Sequence, residues 1–395
     1  GAAKIDPSAA DAGQQAVRSV LNDEVSYEVA KALEASPDAV DVLAKLPDLP
    51  PVFGSVSGNQ AQTTTRELLV VSIDVAVTDA AGNDGGRGAA VGGDRAPHKR
   101  ALDVQGANGQ VGLRDLGLFG MTIPEAYGGL GLSVYEEVRL VQEICYAQPA
   151  FRSYFGTTNG VGTLGIIHFG TEAQKQRYLP RLATGELMAS FALTEPDAGS
   201  DAASLITRAV QQGDHYVING SKRFITNAIH AGVFTVFART GGKDSGASGI
   251  SAFLVDRDTP GLSVAPPYEK MGFAGSHESD VMFDDVKVPA SAMLGAQGTG
   301  FKNAMRSLDH ARIHMAAVAT GLCHRLIDEG LRYAMERKQF GQSISKFQFI
   351  QGMLAESQAE AYAARAMVER AAHDMDAGKK ITKEAACCKY FATEA

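Results

Sequence analysis

The chain has 395 residues, of which 45% are hydrophobic, and its 37 Lys and Arg against 45 Asp and Glu give a formal net charge of −8. This length allows two or three domains with a large core, and the acidic balance argues against a nucleic-acid-binding surface. The sequence has no run of about eighteen apolar residues and no apolar segment near its first residue. We therefore expect neither a transmembrane helix nor a secretory signal.

The four cysteines, Cys145, Cys323, Cys387 and Cys388, show no spacing typical of metal ligands. Cys387 and Cys388 are adjacent in a helical pattern, so they cannot readily pair with each other. The cysteines are therefore interpreted as small helix residues in a reducing compartment. We expect a cytoplasmic protein of a bacterium or a protein of the mitochondrial matrix.

The first hundred residues divide by composition. Residues 1–50 carry Ala, Val and Leu at helical spacing, which predicts helices. Residues 52–66 are rich in Ser, Gly, Gln and Thr and predict a loop, whereas the β-branched run of residues 67–78 predicts a strand. Residues 80–95 are rich in Gly, Ala and Asp without periodicity, which predicts a loop or disorder.

Helices are predicted on both sides of a β-rich region. Paired glycines at residues 128–129 mark a tight loop, and helices follow over Val134–Cys145 and Glu172–Thr184. A β domain is then predicted from about Met188 to Leu294. Its clearest strand patterns are His215–Ile218, Val233–Ala238, Ile250–Val255 and Ser279–Phe283.

The remainder of the chain has the apolar periodicity of long helices. Residues 301–337 and 347–377 each predict one amphipathic helix, and a third begins at residue 380. Because the connections between them are short, we expect antiparallel neighbours in a helical bundle.

Two segments of the β region carry the strongest pattern. Residues 191–201 read Phe-Ala-Leu-Thr-Glu-Pro-Asp-Ala-Gly-Ser-Asp, a strand that runs into a loop of small and polar residues. Residues 216–227 alternate around Asn219-Gly220, which predicts a hairpin that turns at this dipeptide. Together the segments predict a flat β surface with free backbone N–H and hydroxyl groups at one edge, on which a planar cofactor could lie.

At this point the chain resembles the acyl-CoA dehydrogenase flavoprotein family. Residues 194–201 are similar to the family's Thr-Glu-Pro-x-x-Gly-Ser-Asp core, and residues 308–312, Leu-Asp-His-Ala-Arg, are similar to its substrate-contacting Asp-x-x-Arg. Residues 337–348 are similar to its Arg-x-x-Phe-Gly-x-x-Ile-x-x-x-Gln run. Three matches in the expected order carry more weight than any one alone, and the resemblance extends over roughly residues 110–395.

The resemblance implies an α+β fold in three parts. These are a helical N-terminal domain over residues 1–187, a small β-barrel-like or sandwich middle domain over 188–295, and a C-terminal helical bundle over 296–395. Residues 52–105 are atypical, because relatives begin with an all-helical domain. We expect the bundle to be incomplete, since the sequence stops inside the helix that precedes a further loop in relatives.

The resemblance also implies FAD as the cofactor and assigns residues to it. It implies that Phe191, Leu193 and Thr194 contact the flavin ring. Phe224 and Thr226 are implied to close over this ring. Ser200 is implied to lie near FAD or the pyrophosphate of CoA, and Asp309 and Arg312 to hold the CoA part of the substrate. The residues implied to reach the FAD of a neighbouring subunit are Arg337, Phe340 and Gln348.

The catalytic base is not identified. Most relatives carry a glutamate on a loop after the bundle, and a minority carry it just before the Asp-x-x-Arg arginine, where this chain has Ala311. We therefore expect the base in a missing C-terminal segment, and very slow dehydrogenation without it, since general-base catalysis typically contributes ~10²–10⁴-fold. Glu195 is rejected as the base because a loop carboxylate beside Pro196 is expected to bond backbone N–H groups.

The function implied by the resemblance is α,β-dehydrogenation of an acyl-CoA thioester, within fatty-acid β-oxidation, with electrons passed to an electron-transfer flavoprotein. A homo-oligomer is expected, a tetramer or a dimer. Two alternatives stay open: a flavin oxidase or monooxygenase on the same fold, and a binding relative that has lost its chemistry.

Each assigned residue also has an ordinary structural interpretation. Taken singly, the threonines would be strand residues and the aromatic residues core residues, and Asp309 and Arg312 would pair along one helix face. His310 and His314 lie four residues apart, but no third ligand has matching spacing. We therefore predict no metal site.

Overall fold

In the computed structural model of the chain, the residues described are 113–114, 116–147, 149–273 and 275–395. The predictions for residues 1–105, including the strand over 67–78 and the loop over 80–95, lie outside these ranges. None of the helices in the described part of the chain combines the length and apolar character needed to cross a membrane.

Among the described residues, four α-helices of 9 to 14 residues precede the sheet. The two predicted at Val134 and Glu172 are confirmed within two residues of their predicted ends. Thr171 and Gln174 form a capping box at the start of the last one, in which each side chain bonds the other residue's backbone N–H. The bounds are α1 Val134–Ala147, α2 Pro149–Asn159, α3 Val161–Phe169 and α4 Glu172–Ala183.

One seven-stranded sheet forms the middle of the molecule. Its strands are β1 Ala189–Ala192, β2 Arg208–Gln212, β3 His215–Thr226, β4 Val233–Arg239, β5 Ile250–Asp256, β6 Leu262–Val264 and β7 Glu278–Pro289. The strand order is β1-β4-β2-β3-β7-β6, and β5 pairs with β4 on the other side. β4 is parallel to β1 and β2, and the other pairs are antiparallel.

The predicted hairpin at Asn219-Gly220 is wrong. β3 runs without a turn from His215 to Thr226, and its register against β7 shifts between Ile218 and Gly220. The Asn219 side chain bonds Asp285 of β7 through both its amide atoms, at 2.9 and 2.8 Å, so the dipeptide marks a β-bulge.

The predicted flat surface is also corrected. The sheet curls around its own apolar core, which includes Ile218, Phe234, Phe253 and Val281. Two register shifts in β3 contribute to this curvature, because each bulge bends the strand and increases its twist.

The C-terminal helices have the predicted extents. They are α5 Gly300–Glu336, α6 Gln348–Asp376 and α7 Thr382–Glu394, with a hairpin of β8 Lys338–Gln339 and β9 Gln342–Ser343 between the first two. One apolar core joins these helices to the N-terminal ones, and it contains Val141, Phe151, Ile313, Val368 and Ala385. A second core joins α3, α4 and the start of α5 to the sheet. The predicted α+β class with helical flanks and a small middle sheet is confirmed.

Candidate active site

A pocket of about 430 Å³ opens between the sheet and the helices α2, α3 and α5. A volume of this size is typical of small-molecule sites. Seven residues assigned from the sequence line it together: Phe191, Leu193, Thr194, Ser200, Phe224, Thr226 and Arg312. The other lining residues are mainly small or apolar, among them Thr157, Val161, Met305 and Leu308.

The end of β1 is held in place by β3. The Arg223 N–H donates to the Thr194 carbonyl at 2.8 Å, and the buried Lys222 ammonium donates to the Leu193 carbonyl at 3.1 Å. The two sequence segments are therefore fixed side by side, and the side chains of Leu193 and Thr194 are presented to the pocket.

Glu195 has a structural role and is not placed to act as a catalytic base. Its carboxylate lies 2.7 Å from Lys222 Nζ and accepts hydrogen bonds from the N–H groups of Ile206 and Thr207 at 2.7 and 3.0 Å. The expectation that this carboxylate bonds backbone N–H groups is confirmed. Burial lowers the pKa of Lys222 to about 8 although Glu195 opposes the shift, so the pair is ionised at neutral pH.

Phe224 reaches the pocket through an unusual backbone. Its φ is 57°, and the β3–β7 register shifts between Lys222 and Ile225. A positive φ is uncommon for a bulky residue and indicates a local constraint. The ring lies 5.1 Å from the Tyr268 ring, with the Arg223 guanidinium 5.0 Å from its centre. Its side chain is 56% exposed, so one face is open toward the pocket.

Asn227 fixes the end of β3 against α2. Its side-chain amide donates to the carbonyls of Ser153 and Tyr154, each at 2.9 Å, and to the Thr157 hydroxyl at 2.8 Å. Thr226, the residue before it, accepts a hydrogen bond at its carbonyl from the Ser190 hydroxyl at 2.7 Å. No motif in the sequence points to this role of Asn227. Its positive φ of 59° is visible only in the structure.

The pocket suits a planar aromatic ligand with a polar edge. Phe191, Leu193 and Phe224 supply apolar surface. The side-chain hydroxyls of Thr194, Ser200 and Thr226 line the same pocket and make no hydrogen bond to any described residue. Because polar groups in a pocket favour a partner, three free hydroxyls beside an aromatic wall fit a ring system such as a flavin.

Asp309 and Arg312 pair along one face of α5. Arg312 Nη1 lies 2.6 Å from Asp309 Oδ1, and the Thr382 hydroxyl donates to the other carboxylate oxygen at 2.8 Å. The two side chains therefore form the ion pair along one helix face that their spacing predicts. Arg312 still lines the pocket, so the pair does not withdraw it from a ligand.

Three assigned residues lie away from the pocket. Arg337, Phe340 and Gln348 are exposed on or beside the β8–β9 hairpin, and Phe340 is 93% exposed with a φ of 51°. Their assignment to the FAD of a neighbouring subunit is a prediction that a single chain does not test.

His310 and His314 have a third neighbour that their spacing did not reveal. Glu137 of α1 places Oε2 3.1 Å from His310 Nε2 and 2.7 Å from His314 Nε2, and all three side chains are buried. The statement that no third ligand matches them is therefore corrected. Burial raises the pKa of Glu137, but the two histidines outweigh it and hold the pKa below its usual value; burial lowers that of His314 to about 4.

Comparison with known proteins identifies the family to which this pocket is related. Three family models match in succession: the acyl-CoA dehydrogenase N-terminal domain over residues 96–186, its middle domain over 190–286 and its C-terminal domain over 298–395. A probable acyl-CoA dehydrogenase of Bacillus subtilis, YngJ, is 43% identical over 302 residues, which is 76% of this chain and 80% of that protein.

Two solved structures are also similar. One, described as the electron transferring flavoprotein of Acidaminococcus fermentans, is 40% identical with a TM-score of 0.69, over 71% of this chain and 74% of that chain. The other, butyryl-CoA dehydrogenase from Megasphaera elsdenii, is 34% identical with a TM-score of 0.72, over 85% and 86% of the two chains.

Proposed function

This chain belongs to the acyl-CoA dehydrogenase family of flavin-dependent oxidoreductases, and on that premise we propose that it converts an acyl-CoA thioester to the trans-2-enoyl-CoA and passes the electrons to an electron-transfer flavoprotein. FAD is the cofactor of this family. When bound, FAD would supply the two-electron acceptor that removal of the β-hydrogen as hydride requires, a role that no side chain can fill.

One observation carries the proposal. Residues from β1, from the loop after it, from β3 and from α5 line a single pocket, although they come from segments far apart in the sequence. In this proposal Phe191, Leu193 and Phe224 contact the flat faces of the ring system. The free hydroxyls of Thr194 and Thr226 donate to its polar edge.

The CoA part of the substrate is assigned to α5 and the loop after β1. Arg312 has a guanidinium that can donate to the carbonyl or phosphate oxygens of CoA, and Asp309 orients it through their 2.6 Å contact. Ser200 is exposed at the pocket with a free hydroxyl, which can donate to a pyrophosphate oxygen.

No carboxylate is among the described residues that line the pocket. Glu195 lies beside it in the chain, but its oxygens are occupied by Lys222 and two backbone N–H groups. Neither Glu195 nor Ala311 is therefore proposed as the base that removes the α-proton.

The test is an anaerobic titration of the FAD-loaded protein with acyl-CoAs of increasing chain length and branching. We expect the oxidised-flavin absorbance to fall with at least one of them and an enoyl-CoA to appear. Reduction of added electron-transfer flavoprotein without release of hydrogen peroxide would support the dehydrogenase. Peroxide release in air would support the oxidase or monooxygenase instead, and bound flavin that no acyl-CoA bleaches would support a binding relative.

The assignment of Thr226 can be tested separately. Thr226→Val keeps the shape of the side chain and removes its hydroxyl, so we expect FAD to bind about 3- to 10-fold more weakly, as for one lost hydrogen bond. Thr299→Val, outside the pocket-lining set, is the matched control. Equal FAD affinities of the two variants, measured by flavin fluorescence titration, would contradict the assignment.

A further inference from the structure

A buried cation lies directly behind the peptide that joins Leu193 to Thr194. The Lys222 ammonium is fully buried and donates to the Leu193 carbonyl oxygen at 3.1 Å. Leu193 and Thr194 line the pocket, whereas Lys222 does not. The ammonium is thus separated from the pocket by one peptide group, and its influence on a ligand is transmitted through that peptide.

The same peptide presents a free donor on its other side. The Leu193 carbonyl and the Thr194 N–H belong to one planar trans peptide, so they point in opposite directions. The carbonyl is directed to Lys222, and the Thr194 N–H, directed away from it, makes no hydrogen bond to any described residue. Because Thr194 lines the pocket, this N–H is available to a ligand there.

The negative partner of Lys222 is shared with other donors. Glu195 Oε1 lies 2.7 Å from the ammonium, and the same carboxylate accepts the N–H groups of Ile206 and Thr207 at 2.7 and 3.0 Å. The carboxylate charge is thus spread over three donors. The positive charge of Lys222 is therefore not fully cancelled at the Leu193 carbonyl.

A cation on a carbonyl strengthens the N–H of the same peptide as a donor. The hydrogen bond draws electron density toward the oxygen, and such polarisation strengthens each bond in a chain by ~10–30%. A buried charge also acts more strongly than a charge in water. Arg312 is the only charged side chain among the described residues that line the pocket, and Asp309 pairs with it at 2.6 Å. Lys222, one peptide away, is therefore well placed to act on a ligand at Thr194.

We propose that Lys222 is a positioning residue for the flavin, which strengthens the Thr194 N–H as a donor to the polar edge of the ring system and thereby favours the reduced cofactor. Negative charge collects along that edge when a flavin accepts two electrons, so a stronger donor there stabilises the reduced form more than the oxidised form. This inference rests on the part of the proposed function that places the polar edge of FAD at Thr194.

The test is the midpoint potential of the bound flavin, measured against a reference dye during anaerobic reduction. The variant is the double Lys222→Met with Glu195→Gln, which removes both charges and leaves no buried carboxylate without its cation. We expect the protein's preference for reduced over oxidised FAD to fall about 3- to 10-fold, which for a two-electron couple lowers the potential by about 15–30 mV.

Arg239→Met is the matched control. The Arg239 guanidinium also donates to backbone carbonyls, those of Ala203 and Leu205 at 2.8 and 3.2 Å, but neither of these residues lines the pocket. We expect the potential of this variant to match that of the unmodified protein. An unchanged potential in the double variant would overturn the proposal. Equal shifts in the double variant and in Arg239→Met would also overturn it, because they would indicate a general loosening of the site.

The coupling can also be measured without any variant. If Lys222 stabilises the reduced flavin, the reduced flavin must stabilise the Lys222 ammonium by the same factor, because coupling between two sites is reciprocal. Nuclear magnetic resonance of protein labelled at the lysine Cε atoms follows this proton, and the pKa of Lys222 is about 8. We expect the proton to bind about 3- to 10-fold more tightly once the flavin is reduced. An identical titration in the two states would overturn the proposal even if the variants failed to fold.

The outcomes separate this inference from the proposed function. If acyl-CoAs bleach the flavin but neither measurement shows the coupling, the dehydrogenase proposal stands and the inference about Lys222 fails. If the coupling is found but no acyl-CoA bleaches the flavin, the inference stands and the dehydrogenase proposal fails. A protein that does not bind FAD would overturn both.

Discussion

At the scale of single residues, the pocket depends on side chains that hold backbone in place. Lys222 and Glu195 form a buried ion pair that also bonds the Leu193 carbonyl and two N–H groups. Each charge is compensated only by the other and by backbone groups. Loss of either one leaves the partner buried and uncompensated, which costs more than the pair contributes.

We therefore expect Lys222→Met to reduce the free energy of unfolding by about 3–5 kcal/mol. The double variant Lys222→Met with Glu195→Gln should recover part of that loss, because it removes both charges. Urea unfolding followed by circular dichroism measures both values. A double variant less stable than Lys222→Met alone would show that the cost does not come from an unpaired carboxylate.

At the scale of elements, α1 and α5 are joined by close backbone contact. A Cβ added at Gly321 would lie 2.3 Å from the Gln142 carbonyl oxygen, so the two helices approach closely at this glycine. The neighbouring Thr320 hydroxyl accepts a 3.0 Å hydrogen bond from the Gln142 amide. The close approach of α1 and α5 therefore requires a glycine at position 321. One buried hydrogen bond also joins the two helices there.

Gly321→Ala should force the helices apart and destabilise the protein by about 1–3 kcal/mol, as overpacking does. Gly330→Ala in the same helix is the control, because its added Cβ would meet only Leu354, at 3.9 Å. Since alanine is the better helix former, this control should be neutral or stabilising by up to about 1 kcal/mol. Thermal unfolding of the two variants makes the comparison, and equal destabilisation would refute the close-contact explanation.

The same two helices are joined by Glu137, His310 and His314, which predicts a pH dependence. The pKa of His314 falls from its usual 6.5 to about 4 in the folded protein, so the unfolded chain takes up the proton first as the pH falls. This group's contribution to stability is complete above about pH 6.5 and is lost progressively toward pH 4. Glu137, whose pKa is also lowered, adds to the loss in acid.

His314→Asn should therefore flatten the decline in stability between about pH 6.5 and 4, by roughly 2–3 kcal/mol over that interval. The measurement is urea unfolding at a series of pH values. An unchanged slope in His314→Asn would mean that this histidine is not held neutral.

At the scale of the whole molecule, large apolar side chains remain exposed along the C-terminal helices and the hairpin between them. Exposed apolar area of this extent commonly marks a protein–protein interface. The homo-oligomer predicted from the family resemblance would bury this surface. The most exposed of these residues are Leu326, Phe340, Phe349, Tyr362 and Tyr390.

Phe340→Ser should shift the protein toward smaller species and weaken FAD binding at the same time, because Phe340 is assigned to the FAD of a neighbouring subunit. Met271→Ser removes another fully exposed apolar side chain, from a loop of the sheet region, and should change neither property. Sedimentation and flavin titration test both. Loss of association without weaker FAD binding would separate the interface from the cofactor site.

Much of this architecture could be predicted from the sequence. The helices α1, α4, α5, α6 and α7 and the main strands follow from apolar periodicity, which is a local property of the chain. Seven residues of the pocket were implied by the family resemblance, whose motifs are also local. Helices α2 and α3 were not predicted. The Asn219-Gly220 dipeptide misled for a related reason. A local turn signal cannot show that β7 will pair across it and turn it into a bulge.

Only the tertiary structure decided the partners of the polar side chains. Arg152 and Met315 are 163 residues apart, and Asn227 and the Tyr154 carbonyl 73, yet each pair is in contact. No sequence spacing encodes such contacts, because they arise where the apolar cores bring distant segments together and oblige buried polar groups to find a partner. Sequence alone thus determined the family, the elements and the pocket-lining motifs, and folding determined which buried polar groups meet.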